Sequence, residues 1–278
     1  MWMISGLLFG LFLFKALGQI PRLIEVTNRD GYEAPSTTIG WLRNLLRGAP
    51  PLMTEVVVTV AVFLVWAIEN PLRAWLRRAR RPPERASGEG IPIILIHGYF
   101  LTPWTMAVLW WRLKSTGRPL YLLDYYPALG DIDRFVAQLA ELVSRVCPPE
   151  RPVDLVAHSM GGLIAARYIG QNPGRVRRLV AVGTPFGGTR TWALSPGHSV
   201  RQMRPGCDFL KTTVTEGGFP GDTRVTSIYS TFDQTIVPFD SSRLEMDGAE
   251  NVVLDGIGHT VLPVHPKVAA RVRRAVDD

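Results

Sequence analysis

The sequence predicts an α/β protein with a doubly wound, mostly parallel sheet and a helical membrane module at its amino terminus. From residue 91 onward, short apolar runs alternate with amphipathic stretches, the pattern of parallel strands connected by helices. Two longer apolar stretches lie within the first 70 residues. Residues 81–90, rich in Pro, Gly and charge, separate the two parts as a linker.

The composition excludes several classes of protein. With 278 residues, 46% of them hydrophobic and 20% charged, the chain is neither disordered nor a coiled coil. Its two cysteines, Cys147 and Cys207, form no CxxC motif, so we expect no metal site, although one disulfide between them stays open. The net charge is +7, of which +4 falls in residues 1–90. The nearly neutral remainder offers no concentrated basic face for nucleic acid.

Residues 1–80 are predicted to anchor the chain in a membrane through helices at 2–20 and 52–69. Residues 2–14 are uncharged, and the first stretch approaches the roughly 20 residues of a membrane span if Lys15 extends to the interface. Prolines flank the second stretch, where helix ends accept them. Two alternatives stay open: one span plus a core or interfacial segment, and a cleaved signal peptide that would leave a secreted protein.

A basic run follows the second apolar stretch and indicates lipid head groups more than DNA. Its members are Arg73, Arg77, Arg78, Arg80, Arg81 and Arg85. The preferred interpretation is a solvated flank that stops transfer of the helix, and a specific lipid contact is the alternative. The positive-inside rule places this run in the cytoplasm, but the loop between the two stretches is basic as well, so the orientation stays open. We expect a membrane location, the inner membrane in a bacterium.

Six apolar runs predict strands that are buried on both faces of a sheet. They are Ile91–Ile96, Leu120–Leu123, Val153–Ala157, Leu179–Gly183, Val225–Tyr229 and Val252–Leu254. Residues 131–146 carry apolar side chains at spacings of three and four, which predicts an amphipathic helix capped by Asp131. Residues 163–171 and 264–276 predict further helices. In such sheets, ligands bind beyond the carboxyl ends of the strands.

The segment 157–161 (AHSMG) has the pattern of a nucleophile elbow between a strand and a helix. Ser159 would lie on a strained turn, which requires small residues two positions before and two positions after it. Ala157 and Gly161 meet this requirement, although the first position is commonly glycine. Ser159 is therefore the candidate nucleophile. The alternative is a serine that only caps the helix.

A serine nucleophile needs a histidine as base. His259 follows the last predicted strand in a glycine-rich loop and is the preferred candidate. His265 stands beside Pro266 at the start of the final helix, where a capping or surface role is expected. His198 lies in a predicted loop that no strand end supports.

The histidine in turn needs a carboxylate that fixes its tautomer. Asp233 follows the fifth strand and is preferred over Asp240 and Asp255. Asp255 is only four residues before His259 and is expected to turn the loop, and Asp240 lies well past the strand end. The order Ser159, Asp233, His259 is the order of an α/β-hydrolase triad.

Backbone amides should stabilise the oxyanion of the tetrahedral intermediate. Met160, at the start of the helix after the nucleophile, would supply one donor. Tyr99 would supply the other, because Gly98 allows the chain to turn sharply after the first strand. Phe100 is the alternative if the turn is shifted by one residue.

From about Ile91 to Val276, the sequence resembles the lipase and esterase branch of the α/β-hydrolases, especially small bacterial lipases whose elbow also begins with alanine. Residues 243–259 are similar to their last strand and histidine loop, and residues 184–189 to a loop that follows a lipase strand. The resemblance implies hydrolysis of fatty acyl esters through an acyl-enzyme, with no metal or cofactor. Residues 191–223 lie outside the resemblance and are expected to form a modest cap within the catalytic domain, 91–278. A surface segment with no role in substrate entry is the alternative.

The sequence thus predicts a membrane-anchored serine hydrolase whose partners are an acyl ester or lipid substrate and membrane lipids. Phospholipase, thioesterase and acyltransferase are alternatives on the same triad, and a non-catalytic membrane scaffold is an alternative of another class. Trp104, Trp110 and Trp111 are candidates for an acyl pocket, although their helical spacing favours the core. The oligomeric state stays open.

Overall fold

The computed structural model describes residues 50–67, 90–127, 129–216, 218–219 and 223–277. The first predicted membrane helix (2–20), the basic run at 73–85 and nearly all of the linker at 81–90 lie outside these residues. The two-span anchor and its orientation therefore stay predictions.

A six-stranded parallel sheet forms the centre of the molecule, as the sequence predicts. Its strands are β1 (Ile93–Ile96), β2 (Leu120–Leu123), β3 (Val153–His158), β4 (Val176–Val182), β5 (Arg224–Ser230) and β6 (Glu250–Leu254). Their order across the sheet is β2-β1-β3-β4-β5-β6, and every neighbouring pair is parallel. β4 begins before its predicted start because two arginines, Arg177 and Arg178, interrupt its apolar pattern.

Seven helices accompany the sheet in the described residues. They are α1 (Pro50–Ala67), α2 (Ala107–Leu113), α3 (Ile132–Val146), α4 (Met160–Gln171), α5 (His198–Arg201), α6 (Asp208–Leu210) and α7 (Pro266–Asp277). Five 3-10 turns lie between them, and a π-helical turn at Lys211–Thr215 continues α6.

Helices cover both faces of the sheet, which makes the fold doubly wound. Successive side chains of a strand point to opposite faces, and in β1 Ile94 and Ile96 join the core that includes α3 and α4. Ile93 and Leu95 join the core that includes α2 and α7. The strand is therefore apolar throughout, because both of its faces are buried.

Helix α3 confirms the prediction from its sequence pattern. All seven of its predicted core residues are buried: Ile132, Phe135, Val136, Leu139, Leu142, Val143 and Val146. Asp131 caps the helix, its Oδ1 accepting a hydrogen bond of 2.8 Å from the backbone N–H of Asp133.

A buried ion-pair cluster stabilises the amino edge of the sheet. The Asp154 carboxylate, on β3, is fully buried and pairs with the guanidinium groups of Arg118 and Arg177. The hydrogen bond to Asp154 raises the pKa of Arg177. Arg178 donates to the Val276 carbonyl at 2.8 Å, and burial lowers its pKa. The cluster therefore ties β3, β4 and the segment before β2 to the last helix.

Cys147 and Cys207 are both buried and form no disulfide. The Sγ of Cys147 donates to the Arg151 carbonyl at 3.3 Å, and the Sγ of Cys207 to the Gln202 carbonyl at 3.2 Å. The disulfide left open by the sequence is therefore not formed.

Helix α1 overlaps the second predicted membrane stretch (52–69) but begins two residues earlier, at Pro50. It is long and apolar enough to cross a bilayer, with a mean hydropathy of 1.8. Its Glu55 and Thr59 are nevertheless buried against the rest of the protein, and Val58 packs on the core that includes α2 and α7. α1 therefore lies against the carboxyl edge of the sheet, where the candidate site is found.

Candidate active site

Ser159 lies on the sharp turn between β3 and α4, as the elbow pattern predicts. Its backbone has φ 56° and ψ −128°, a conformation that is strained for a residue with a Cβ. The Ser159 N–H donates to the Val182 carbonyl at 2.8 Å, which fixes the turn to the neighbouring strand β4. The side chain of Ser159 is thereby held beyond the carboxyl edge of the sheet.

Small residues permit this turn. A Cβ on Gly161 would lie 2.6 Å from the His97 carbonyl oxygen and 2.7 Å from the Ile96 carbonyl oxygen, contacts that backbone atoms cannot relieve. Ala157 is fully buried at the end of β3. A third small residue was not singled out from the sequence: a Cβ on Gly162 would lie 2.0 Å from Thr184 Oγ1.

The structure brings Ser159, His259 and Asp233 together in one hydrogen-bonded chain. His259 Nε2 lies 2.9 Å from Ser159 Oγ, and His259 Nδ1 lies 2.6 Å from Asp233 Oδ2. Because an ionised carboxylate only accepts hydrogen bonds, Nδ1 carries the proton and Nε2 is left to accept from the serine hydroxyl. All three side chains are buried. This arrangement can move a proton from Ser159 to His259.

The loop after β5 fixes the carboxylate. Asp233 Oδ1 accepts hydrogen bonds of 2.8 Å from the backbone N–H groups of Thr235 and Ile236. One carboxylate oxygen is therefore held by the backbone while the other faces His259.

The alternative residues lie elsewhere. His198 is exposed at the start of α5, and His265 Nδ1 accepts from the Lys267 N–H at the start of α7, which confirms its capping role. Burial, and then the charge of Lys267, lower the pKa of His265. Asp240 is exposed, and Asp255 accepts from the Thr231 hydroxyl in the turn after β6.

The loop after β1 crosses close to Ser159. A Cβ on Gly98 would lie 2.9 Å from the Cβ of Ser159, so glycine is required by close approach. Tyr125 Oη donates to the Gly98 carbonyl at 2.6 Å. Since N–H and C=O point in opposite directions across a trans peptide, the Tyr99 N–H points away from Tyr125. Met160, completely buried, begins α4 directly after Ser159. Met160 therefore adjoins Ser159 along the chain, and Tyr99 follows Gly98, the glycine that approaches Ser159.

The Tyr99 side chain ties this loop to the predicted cap. Its Oη donates to the Pro196 carbonyl, and burial raises the pKa of Tyr99 to about 12. The hydroxyl therefore stays a hydrogen-bond donor at neutral pH.

Two residues that support His259 were missed by sequence reasoning. His158 is fully buried, and its Nε2 lies 3.1 Å from the His259 carbonyl oxygen. Glu55, on α1, accepts hydrogen bonds from the backbone N–H groups of Thr260 and Val261, next to His259. A glutamate within an apolar helix is the signal for the second contact, because such a charge needs a partner. His158, adjacent to Ser159 in the sequence, carried no separate signal.

A mostly apolar cavity of about 330 Å³ opens at Ser159 and His259. Residues of α1, the β1 loop and the predicted cap line it, among them Thr59, Val62, Phe63, Tyr99, Trp192 and Met203. No Asp, Glu, Lys or Arg side chain lines the cavity in the part of the chain that the structure describes.

The sequence predicts that three tryptophans lie in the core or line an acyl pocket, and this prediction is wrong for two of them. Trp104 and Trp111 are 61% and 63% exposed, and neither lines the cavity nor joins the core. Trp110 is partly buried and packs on the core with α2 and α7. Trp111 lies on the exposed face of α2, of which only Leu109 and Leu113 are buried, and Trp104 lies in the 3-10 turn (Pro103–Met106) that precedes α2.

Known proteins share this architecture. A family model described as alpha/beta hydrolase fold matches residues 129–264. The metagenomic carboxyl esterase MGS0156 is similar with a TM-score of 0.54 and 14% identity, over 72% of this chain and 79% of that chain. A structure from work on the metagenome-derived lipolytic enzymes LipS and LipT is similar with a TM-score of 0.53 and 14% identity, over 69% of this chain and 94% of that chain. A structure from work on carboxylesterases of the thaumarchaeon Nitrososphaera gargenis is similar with a TM-score of 0.51 and 17% identity, over 70% of this chain and 91% of that chain.

The sheet order, the turn at Ser159 and the family match show that the chain has the α/β-hydrolase fold. Its structural neighbours include lipolytic enzymes and carboxylesterases, at identities that establish the shared fold alone.

Proposed function

We propose that the chain is a membrane-associated serine hydrolase that cleaves fatty acyl esters through an acyl-enzyme. The observation that carries the proposal is the hydrogen-bonded chain from Ser159 through His259 to Asp233, which opens on an uncharged, mostly apolar cavity. Lipase or carboxylesterase is the preferred activity. The same three residues would serve a phospholipase, thioesterase or acyltransferase.

The hydrogen bonds suggest the order of proton transfers. Ser159 Oγ attacks the ester carbonyl carbon while His259 Nε2 takes the hydroxyl proton, and the amides of Tyr99 and Met160 stabilise the oxyanion. The intermediate collapses as His259 gives this proton to the departing alcohol. Water then attacks the acyl-serine with the same base, which releases the fatty acid and restores the Ser159 hydroxyl. Asp233 stabilises the imidazolium in both halves of the reaction.

The cavity supports an apolar acyl group. Burial of apolar surface in a cavity without charged lining favours a hydrocarbon chain over a charged group. Residues of the proposed cap, 191–223, form one side through Trp192, Val200 and Met203. A lipid head group would therefore stay outside the cavity, with the ester bond at its mouth.

The outward face of α1 supports a membrane location. Met53, Val57 and Leu64 are exposed on this helix, and exposed apolar patches mark contact with membranes or proteins. Trp104 and Trp111 add exposed aromatic side chains of the kind that favours membrane interfaces. These features favour a lipid substrate and contact with membrane lipids.

A fluorophosphonate probe tests the serine. We expect the probe to label the wild-type protein and not Ser159→Ala, because only an activated hydroxyl attacks the phosphorus. Hydrolysis of p-nitrophenyl esters should fall at least about 10⁴-fold in Ser159→Ala and in His259→Ala. The double variant should be no slower than either single variant, because the two residues act as one unit.

The rival functions predict other results. An unlabelled wild-type protein would favour the non-catalytic scaffold, and loss of activity beyond short acyl chains would favour an esterase over a lipase. Release of the protein into the aqueous fraction by carbonate extraction would contradict membrane anchoring.

A further inference from the structure

Glu55 attaches α1 to the loop that carries the catalytic histidine. Its side chain is fully buried, and its two carboxylate oxygens lie 3.0 Å from the Thr260 N–H, with Oε2 also 3.2 Å from the Val261 N–H. A Cβ on Gly258 would lie 2.3 Å from Oε2. The carboxylate therefore contacts the chain on both sides of His259.

The face of α1 that carries Glu55 also lines the cavity further along the helix. Thr59, one turn further along, donates to Thr260 Oγ1 at 3.3 Å, and Val62 and Phe63, on the next turn, line the cavity. Residues separated by three or four positions share one face of a helix. The face that holds the histidine loop is thus the face that the acyl group would meet.

Aromatic stacking holds the far end of α1. The rings of Trp66 and Phe100 are stacked, with centroids 4.8 Å apart and planes 27° apart. Phe100 belongs to the loop after β1 and has a φ of 55°. α1 is therefore attached both beside the base and beside the proposed oxyanion donor Tyr99.

We infer that α1 is one wall of the acyl-binding site, in which Val62 and Phe63 determine the acyl-chain length and Glu55 is a positioning residue for His259. This inference rests on the proposed esterase function. The helix that associates with the membrane through its outward face would then select the substrate through its inward face. Specificity would depend on a helix that precedes the α/β-hydrolase domain in the sequence.

The first test measures kcat/KM for p-nitrophenyl esters from acetate to palmitate with full-length protein in detergent. Phe63→Ala should raise the ratio of long-chain to short-chain kcat/KM by about tenfold, since a pocket distinguishes substrates by such factors per methylene group. Val62→Trp should lower the same ratio, because the larger side chain would occupy cavity space that the longer acyl chains need. Leu64→Ala is the matched control, because Leu64 is exposed on the outward face, and its ratio should equal that of the wild type.

Two outcomes overturn the assignment of the wall. One is an unchanged ratio in both Phe63→Ala and Val62→Trp, and the other is an equal shift in Leu64→Ala. Either result leaves the esterase function intact. A wild-type protein that hydrolyses none of the esters contradicts the esterase function itself.

The second test concerns Glu55. Glu55→Ala should lower kcat at least about tenfold for short and long esters alike, because misplacement of a catalytic group reduces the rate of the chemical step, while KM for the acetate ester stays within about twofold. Glu55→Gln keeps one acceptor oxygen for the two amides and should recover part of kcat. Fluorophosphonate labelling of Ser159 should slow in the same order.

Thermal unfolding is followed for each Glu55 variant, so that kcat is compared at temperatures where the protein is folded. Folded Glu55→Ala with wild-type kcat would overturn the positioning role. If kcat falls equally in Glu55→Gln and Glu55→Ala, the effect comes from the lost charge. That result would also contradict positioning through the hydrogen bonds.

Discussion

Ser159 is held in a backbone conformation that costs about 1–3 kcal/mol for a residue with a side chain. The surrounding contacts maintain it: its N–H is bound to β4, and Gly161 lets α4 approach the carbonyls at the end of β1. The position of Ser159 therefore depends on the hydrogen bond of its own N–H and on backbone packing two residues further along the chain.

Gly161→Ala tests this dependence. Because the new methyl group would meet the carbonyl oxygens of Ile96 and His97, we expect about 1–3 kcal/mol of lost stability. A displaced Ser159 should also lower kcat/KM about a hundredfold. Denaturant unfolding and ester hydrolysis measure the two effects. Gly187→Ala is the control, since its methyl group would make only ordinary contacts, at 3.4 Å or more, with Ser241, and a similar loss in this variant would contradict the explanation.

At the level of single residues, sequence reasoning found the side chains that follow strand ends. Ser159, Asp233 and His259 stand next to β3, β5 and β6, and the order of a parallel sheet brings such positions to one edge. Glu55 and His158 could not be found in this way. Glu55 contacts residues about 200 positions away, and the contact of His158 is with a backbone carbonyl, which has no sequence signature.

At the level of secondary structure, the periodicity of apolar residues predicts the helices and strands, but charged residues near the strand starts make the boundaries hard to predict. α3 shows the clearest agreement, since its apolar stripe and its cap are both local features. β4 and β6 begin before their predicted starts. Arg177 and Arg178 in β4, and Glu250 and Asn251 in β6, are polar residues that strand pairing orders. Pairing is a tertiary interaction, so local sequence does not predict these boundaries.

Asp131→Ala tests the cap of α3. Loss of the acceptor for the Asp133 N–H should reduce the free energy of unfolding by about 1 kcal/mol. Asp131→Asn keeps an acceptor oxygen and should retain most of the stability. Chemical denaturation of the three proteins measures the difference, and equal losses in both variants would show that charge matters more than the hydrogen bond.

At the level of the whole molecule, the two edges of the sheet serve different purposes. The carboxyl edge carries Ser159, Asp233, His259 and the cavity, whereas the amino edge carries the buried cluster around Asp154. A substitution in this cluster should affect stability without affecting the reaction.

Asp154→Asn tests this separation. Removal of the carboxylate charge leaves Arg118 and Arg177 without their partner, and we expect a loss of about 3 kcal/mol in the free energy of unfolding. The kcat of the folded variant should stay within about twofold of wild type. Unfolding and kinetics at one temperature provide both values, and a large fall in kcat would show that the edges are coupled.

The position of α1 has a practical consequence for protein production. Trimming the chain at the linker is an attractive route to an easily purified fragment, yet it would remove Glu55 and leave the amides of Thr260 and Val261, together with the Phe100 ring, facing solvent. If such a fragment were inactive, the result would not show whether Ser159 can act as a nucleophile in the full chain. Enzymology on this protein should keep residues 50–67 in place.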